Sequence, residues 1–187
     1  MAKILPRSLF FHNPKCGGTT IRKALQNAFP SCKWERGSHH CFPDEIDTGD
    51  RFCFVFVRHP VTWYESFFVY KNEVDHWLTG HPLEPCKSDR FDHFIEKVLK
   101  LCPGHLSTMY EFYLGYPVRM NFVGKVENLT EDLITALHLA GEEFDEAKIR
   151  NTPRRNASTY KPRWNPKLKE AIIDAEKRTF IRFGYKR

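Results

Sequence analysis

The chain has 187 residues, enough for one domain with a substantial hydrophobic core, and residues 1–187 read as a single domain. Its composition, 41% apolar and 28% charged, is that of a soluble globular protein. No apolar run reaches bilayer-crossing length and no signal-peptide core opens the chain, so cytoplasmic residence without a membrane span is expected. The formal charge of +6 favours an anionic partner without naming it. Sixteen phenylalanines promise a dense interior. The cysteines, at 16, 32, 41, 53, 86 and 102, form no CxxC pair, and reduced, mostly buried thiols are expected. Cys41 with His39 or His40 lacks the spacing of known zinc fingers.

In chain order, residues 8–12 form an apolar run that reads as a short buried strand. Ile21, Ala24, Leu25, Ala28 and Phe29 then recur at the spacing of one helix face. A second short strand is expected over 31–35, ending near His39 and His40. Residues 52–57 are continuously apolar between charges, as suits a central parallel strand covered on both faces. A helix follows from Pro60 to about Asn72. Residues 75–88 read as a loop, and Phe91, Phe94, Ile95, Val98 and Leu99 as a helix face. Residues 102–110 read as a variable loop and 121–126 as a strand. Thr130 is the expected cap of the next helix and Gly141 its stop. No acidic residue stands between Glu146 and Glu170, where Lys148, Arg150, Arg154, Arg155, Lys161, Arg163, Lys167 and Lys169 accumulate. One final helix is expected from residues 165–166 to just before Phe183. The alternation of strands and helices predicts an α/β fold with a mainly parallel sheet.

The stretch Asn13-Pro14-Lys15-Cys16-Gly17-Gly18-Thr19-Thr20 joins the first of these strands to the first helix. A glycine pair there lets the backbone approach an anion closely, and the helix start aims N–H groups and positive dipole at it. Lys15 adds a full charge, and the Thr19 and Thr20 hydroxyls add donors. A Walker A loop would place lysine after the last glycine and Ser/Thr on magnesium. Here the lysine comes first, and residues 52–57 lead into Arg58 rather than an aspartate.

The order PK-x-GG-TT resembles the 5′-phosphosulfate loop of sulfotransferases that use 3′-phosphoadenosine 5′-phosphosulfate (PAPS). In that family an arginine ending a central strand and a serine eight positions later bind the 3′-phosphate, and Arg58 and Ser66 match that spacing. Residues 122–129, with Glu127-Asn128-Leu129, and the closing Phe183-Gly184-Tyr185 are also similar to small bacterial members. The resemblance implies a three-layer α/β/α fold related to P-loop nucleotide kinases. It also implies sulfuryl transfer from PAPS to an acceptor hydroxyl or amine, such as a small molecule or a carbohydrate, without metal or nucleic acid. Pro14, Lys15, Cys16, Gly17, Gly18, Thr19 and Thr20 would then hold the phosphosulfate, with Lys15 on the bridging oxygen. Two positions depart from the family: Cys16 replaces a common Thr or Ser, and His59 a common Asn or Asp.

The acceptor must lose a proton, and His39 and His40 stand where related carbohydrate sulfotransferases carry a base. His40 is the first choice. Arg154, Arg155 and Tyr160 resemble the late loop that folds over the nucleotide. Glu127 reads as a strand-end carboxylate with a local partner, and the rings of Trp63, Tyr64, Phe67, Phe68, Tyr70 and Trp77 as mostly core. The rival functions are a P-loop small-molecule kinase and an inactive nucleotide- or polyanion-binding module of the same fold.

Overall fold

A computed structural model of the chain describes residues 2–30, 47–73, 80–114, 119–155 and 160–187. The expected strand at 31–35 and both candidate bases, His39 and His40, lie outside the described residues. The chain divides into two compact units, Met1–Arg58 with Phe112–Ala157, and His59–Glu111 with Ser158–Arg187.

The first unit carries a four-stranded sheet in the order β1 (Ala2–Ile4), β2 (Ser8–Phe11), β3 (Phe52–Val57), β4 (Phe122–Lys125). β1 runs antiparallel to β2, a pairing the sequence reading did not foresee. β2, β3 and β4 are parallel, with Ser8 opposite Phe52 and Phe54 opposite Phe122. Parallel neighbours need a crossover, and α1 (Gly18–Ala28) lies in the connection from β2 to β3. Cys53 through Val57 are buried, which explains the unbroken apolar run. The turn from β4 leads into α5 (Leu129–Leu139) and α6 (Glu146–Arg150). α1 buries Thr20, Ile21, Ala24 and Leu25, while α5 buries Leu129, Leu133, Ile134, Ala136 and Leu137. The cap of α5 is Asn128, not Thr130, which falls in the first turn. The start is displaced because Asp132, one turn in, accepts the Lys125 N–H at 2.6 Å and fixes the helix against the end of β4. Gly141, at φ 68°, ends the helix as expected.

The second unit is helical: α2 (Pro60–Glu73), α3 (Phe91–Leu101), the start of α4 (His105–Tyr113), α7 (Pro166–Ala175) and α8 (Lys177–Phe183). Its core is aromatic. Trp63 stacks on Phe67 at 5.0 Å, Phe67 on Phe94 at 6.0 Å, and Phe91 meets Trp164 edge-on at 4.7 Å. Two expectations fail here. Most of residues 102–110 is helix α4 rather than loop, and the final helix is two helices broken at Glu176. One residue accounts for both. Glu176 is fully buried and accepts the Leu106 N–H at 3.0 Å, the Ser107 N–H at 2.7 Å, the Ser107 hydroxyl at 2.7 Å and the Tyr64 hydroxyl at 2.6 Å. Its carboxylate thus satisfies first-turn donors of α4 from seventy positions away in sequence, which no local pattern announces. No helix among the described residues is long and apolar enough to cross a membrane.

Candidate functional site

Because β2, β3 and β4 are parallel, the loop after β2, Arg58 after β3 and the turn after β4 all leave the same edge of the sheet. Ligands of open α/β sheets bind beyond this carboxyl edge. Among the described strands the order runs one way, without the reversal that opens a crevice in doubly wound sheets.

The loop begins as a tight turn, closed by the Cys16 N–H donating to the Asn13 carbonyl at 3.3 Å. Proline fixes the second position at negative φ, and Lys15 in the third has φ 60°. That combination is a type II turn, whose third position usually belongs to glycine. A lysine there costs about 1–2 kcal/mol, and such strain persists only when surrounding contacts impose it. Those contacts are visible. Asn13, 1% exposed, donates from Nδ2 to the Phe56 carbonyl at 3.1 Å. Arg58, half-buried, donates from Nη1 to the Lys15 carbonyl at 3.3 Å. Asn13 Oδ1 is buried without a hydrogen-bond partner among the described residues.

Gly17 and Gly18 serve packing as well as approach. Gly17 is the N-cap of α1 at φ 74°, and a Cβ on it would lie 2.5 Å from Leu129. A Cβ on Gly18 would overlap the His12 ring. The helix start therefore presses directly onto α5 and the end of β2. As N-cap, Gly17 offers no side-chain oxygen to the first-turn N–H groups, and that turn contains no acidic residue. This is the positive end of an 11-residue helix, with neither a side-chain cap nor an acidic residue in its own first turn.

The Thr20 hydroxyl, buried, accepts the Arg155 N–H at 3.0 Å and donates to the Arg155 carbonyl at 3.4 Å. It therefore latches the basic segment onto the first turn of α1. Arg154 donates to the Val126 carbonyl at 3.3 Å, on the turn after β4. The rest of the basic run in this unit is internally balanced. Lys148 lies 3.8 Å from Asp145, and Arg150 pairs with Glu146 and Glu131. The structure thus gathers Pro14 to Thr20, Arg58, Arg154 and Arg155 in one unit. Ser66, 5% exposed within α2, and Tyr160, 46% exposed, belong to the other.

His59 also belongs to the second unit. Its Nδ1 accepts the Val61 N–H at 3.3 Å, which puts the ring proton on Nε2, 3.2 Å from the Lys186 carbonyl. Edge-on contacts to Phe180 and Tyr185 complete a packing role. Cys16, Cys53 and Cys86 are buried free thiols and Cys102 is half-buried. Among the described residues no group of three or more His, Cys, Asp or Glu is placed to hold a metal ion.

Sequence reasoning included Asn13 in the loop without giving it a role, and it missed the Thr20 latch. An Asn before Pro at a strand end is a turn signal and could have marked Asn13. The latch joins residues 135 positions apart and left no local trace. Comparison with known protein families, curated proteins and solved structures returns no match, so the site is read from its own residues.

Proposed function

We propose that the chain is a sulfotransferase that moves the sulfuryl group of PAPS to an acceptor hydroxyl or amine on a small molecule or carbohydrate. The observation that carries this is the strained Lys15 turn feeding an α1 N-terminus without side-chain cap or acidic first turn, with Arg58 on the turn's own carbonyl. A kinase-type loop would need its lysine after the glycines and a carboxylate for magnesium where Arg58 stands. The mainly parallel sheet is compatible with the three-layer, nucleotide-kinase-like architecture that accompanies the reading.

The residues fit an anion with two charged ends. First-turn N–H groups of α1 would hold the phosphosulfate, as they would any phosphate at a helix start. Lys15 would neutralise the bridging oxygen, on which charge grows as its bond to sulfur breaks. Arg58, by its sequence spacing to Ser66, takes the 3′-phosphate. PAPS, when bound, supplies the sulfuryl group and leaves as 3′,5′-ADP. The acceptor's proton goes to an imidazole, His40 by preference over His39. Arg154 and Arg155, held by the Val126 carbonyl and by Thr20, add positive charge beside the helix start.

Thermal-shift titration tests the reading. The protein should be stabilised by 3′,5′-ADP without added metal, the stabilisation rising with the logarithm of ligand concentration over Kd once that ratio is well above one. Stabilisation by ATP–magnesium alone would assign the loop to phosphoryl chemistry instead.

A further inference from the structure

We propose that Arg58 is a positioning residue for the Lys15 turn, holding it in shape for an anion at α1 whether or not a second phosphate is present. The consequence for catalysis rests on the sulfotransferase reading; the brace itself does not. Lys15 occupies a left-handed position with a side chain that disfavours it. The turn therefore keeps its shape only through its anchors. Two of them come from the end of β3, the Phe56 carbonyl that receives Asn13 Nδ2 and the Arg58 guanidinium that reaches the Lys15 carbonyl. Asn13 holds the turn's first residue and Arg58 its third, so loss of either frees one side.

A guanidinium carries five N–H donors, so the bond to the Lys15 carbonyl does not confine Arg58 to the loop. Whatever else Arg58 binds, the loop's shape is part of what it contributes. A ligand without a 3′-phosphate should feel its loss too. If Arg58 served the 3′-phosphate alone, such a ligand would be indifferent to it.

Amide hydrogen exchange on the ligand-free protein reads the brace directly. Arg58→Ala should speed exchange of the Cys16 N–H, which closes the turn, by about tenfold while β2 and β3 stay protected. Unchanged exchange at Cys16 overturns the proposal. If Arg58→Ala loosens β2 and β3 as well, Arg58→Met, which keeps most of the side chain's length but no donor, takes its place under the same criterion. Calorimetric titration then separates the two roles. Adenosine 5′-phosphosulfate, which lacks the 3′-phosphate, should bind Arg58→Ala about tenfold more weakly than wild type. Equal affinity for that probe, with 3′,5′-ADP weakened, confines Arg58 to the 3′-phosphate and also overturns the proposal. A wild-type protein that binds neither probe removes the sulfotransferase reading, and exchange at Cys16 then decides the brace alone.

Discussion

Helix α4 begins with its Leu106 and Ser107 N–H groups bonded to the buried carboxylate of Glu176, whereas α1 begins behind a glycine that offers them nothing. Both helix starts carry the same partial positive charge. In the second unit the chain supplies the counter-anion itself, from the break between α7 and α8, and adds the Tyr64 and Ser107 hydroxyls to it. In the first unit the neighbours have the opposite sign: Lys15 in the preceding turn, Arg58 on that turn's carbonyl, and Arg155 latched to Thr20. A helix start meant only for architecture is neutralised from within. One that follows a lysine turn and has no acidic residue in its own first turn is the candidate for an anion that arrives from outside.

The contrast can be broken at either end. The largest effect is expected at the filled end. Glu176→Ala leaves two buried N–H groups and the Tyr64 hydroxyl without their acceptor, takes one partner from the Ser107 hydroxyl, and should cost about 3–5 kcal/mol in denaturant unfolding. Exchange protection at Leu106 and Ser107 should fall first; a loss under about 1 kcal/mol would mean the carboxylate is not what holds α4. At the other end, on the proposed sulfotransferase reading, Lys15→Ala should lower turnover about 100- to 1,000-fold with 3′,5′-ADP affinity largely kept. Steady-state kinetics against calorimetry separates these, and an equal drop in both would make Lys15 a binding residue only.

The third effect depends on pH. Burial lowers the His105 pKa to about 4, so this residue at the start of α4 is neutral in the folded protein. Above about pH 6.5 both folded and unfolded states carry it neutral and it contributes no slope. As pH falls from 6.5 towards 4, the unfolded chain takes the proton and the folded one does not, removing about 3 kcal/mol. His105→Gln should flatten the stability profile across that window, measured by urea unfolding at several pH values. The smallest effect concerns the glycines. Gly18→Ala should cost about 1–3 kcal/mol by driving a methyl into the His12 ring, and His12→Ala should recover most of it. No recovery in that double-mutant cycle would mean the glycine serves the backbone alone.

The first unit was the more legible because its signals are local. The apolar run before Asn13, the glycine pair and the 3.6-residue period after it identify β2, the loop and α1, and the charge ending 52–57 identifies Arg58. β1 escaped because three residues at a sheet edge carry no periodicity. The strained turn could have been read from Asn-Pro, but the φ of Lys15 depends on Phe56 and Arg58, more than forty positions away. In the second unit residues 102–110 read as loop because they carry no helical pattern of their own, and what satisfies the first turn of α4 is Glu176. The break at Glu176 is invisible for the complementary reason: glutamate favours a helix interior, and only its buried partners hold it at φ −96°, ψ 16°.

The sheet pairings have a kinetic consequence. β2 meets β3 only after the segment carrying α1 has closed, and β4 reaches β3 only once all of residues 59–111 has been accommodated. Such non-local parallel pairing is slow to nucleate and commits late. The Asn13–Phe56 and Arg58–Lys15 bonds cannot exist before β2 and β3 are side by side. If the turn binds an anion as proposed, that competence should appear with the final cooperative step of refolding, making ligand binding a reporter of completed folding rather than of collapse.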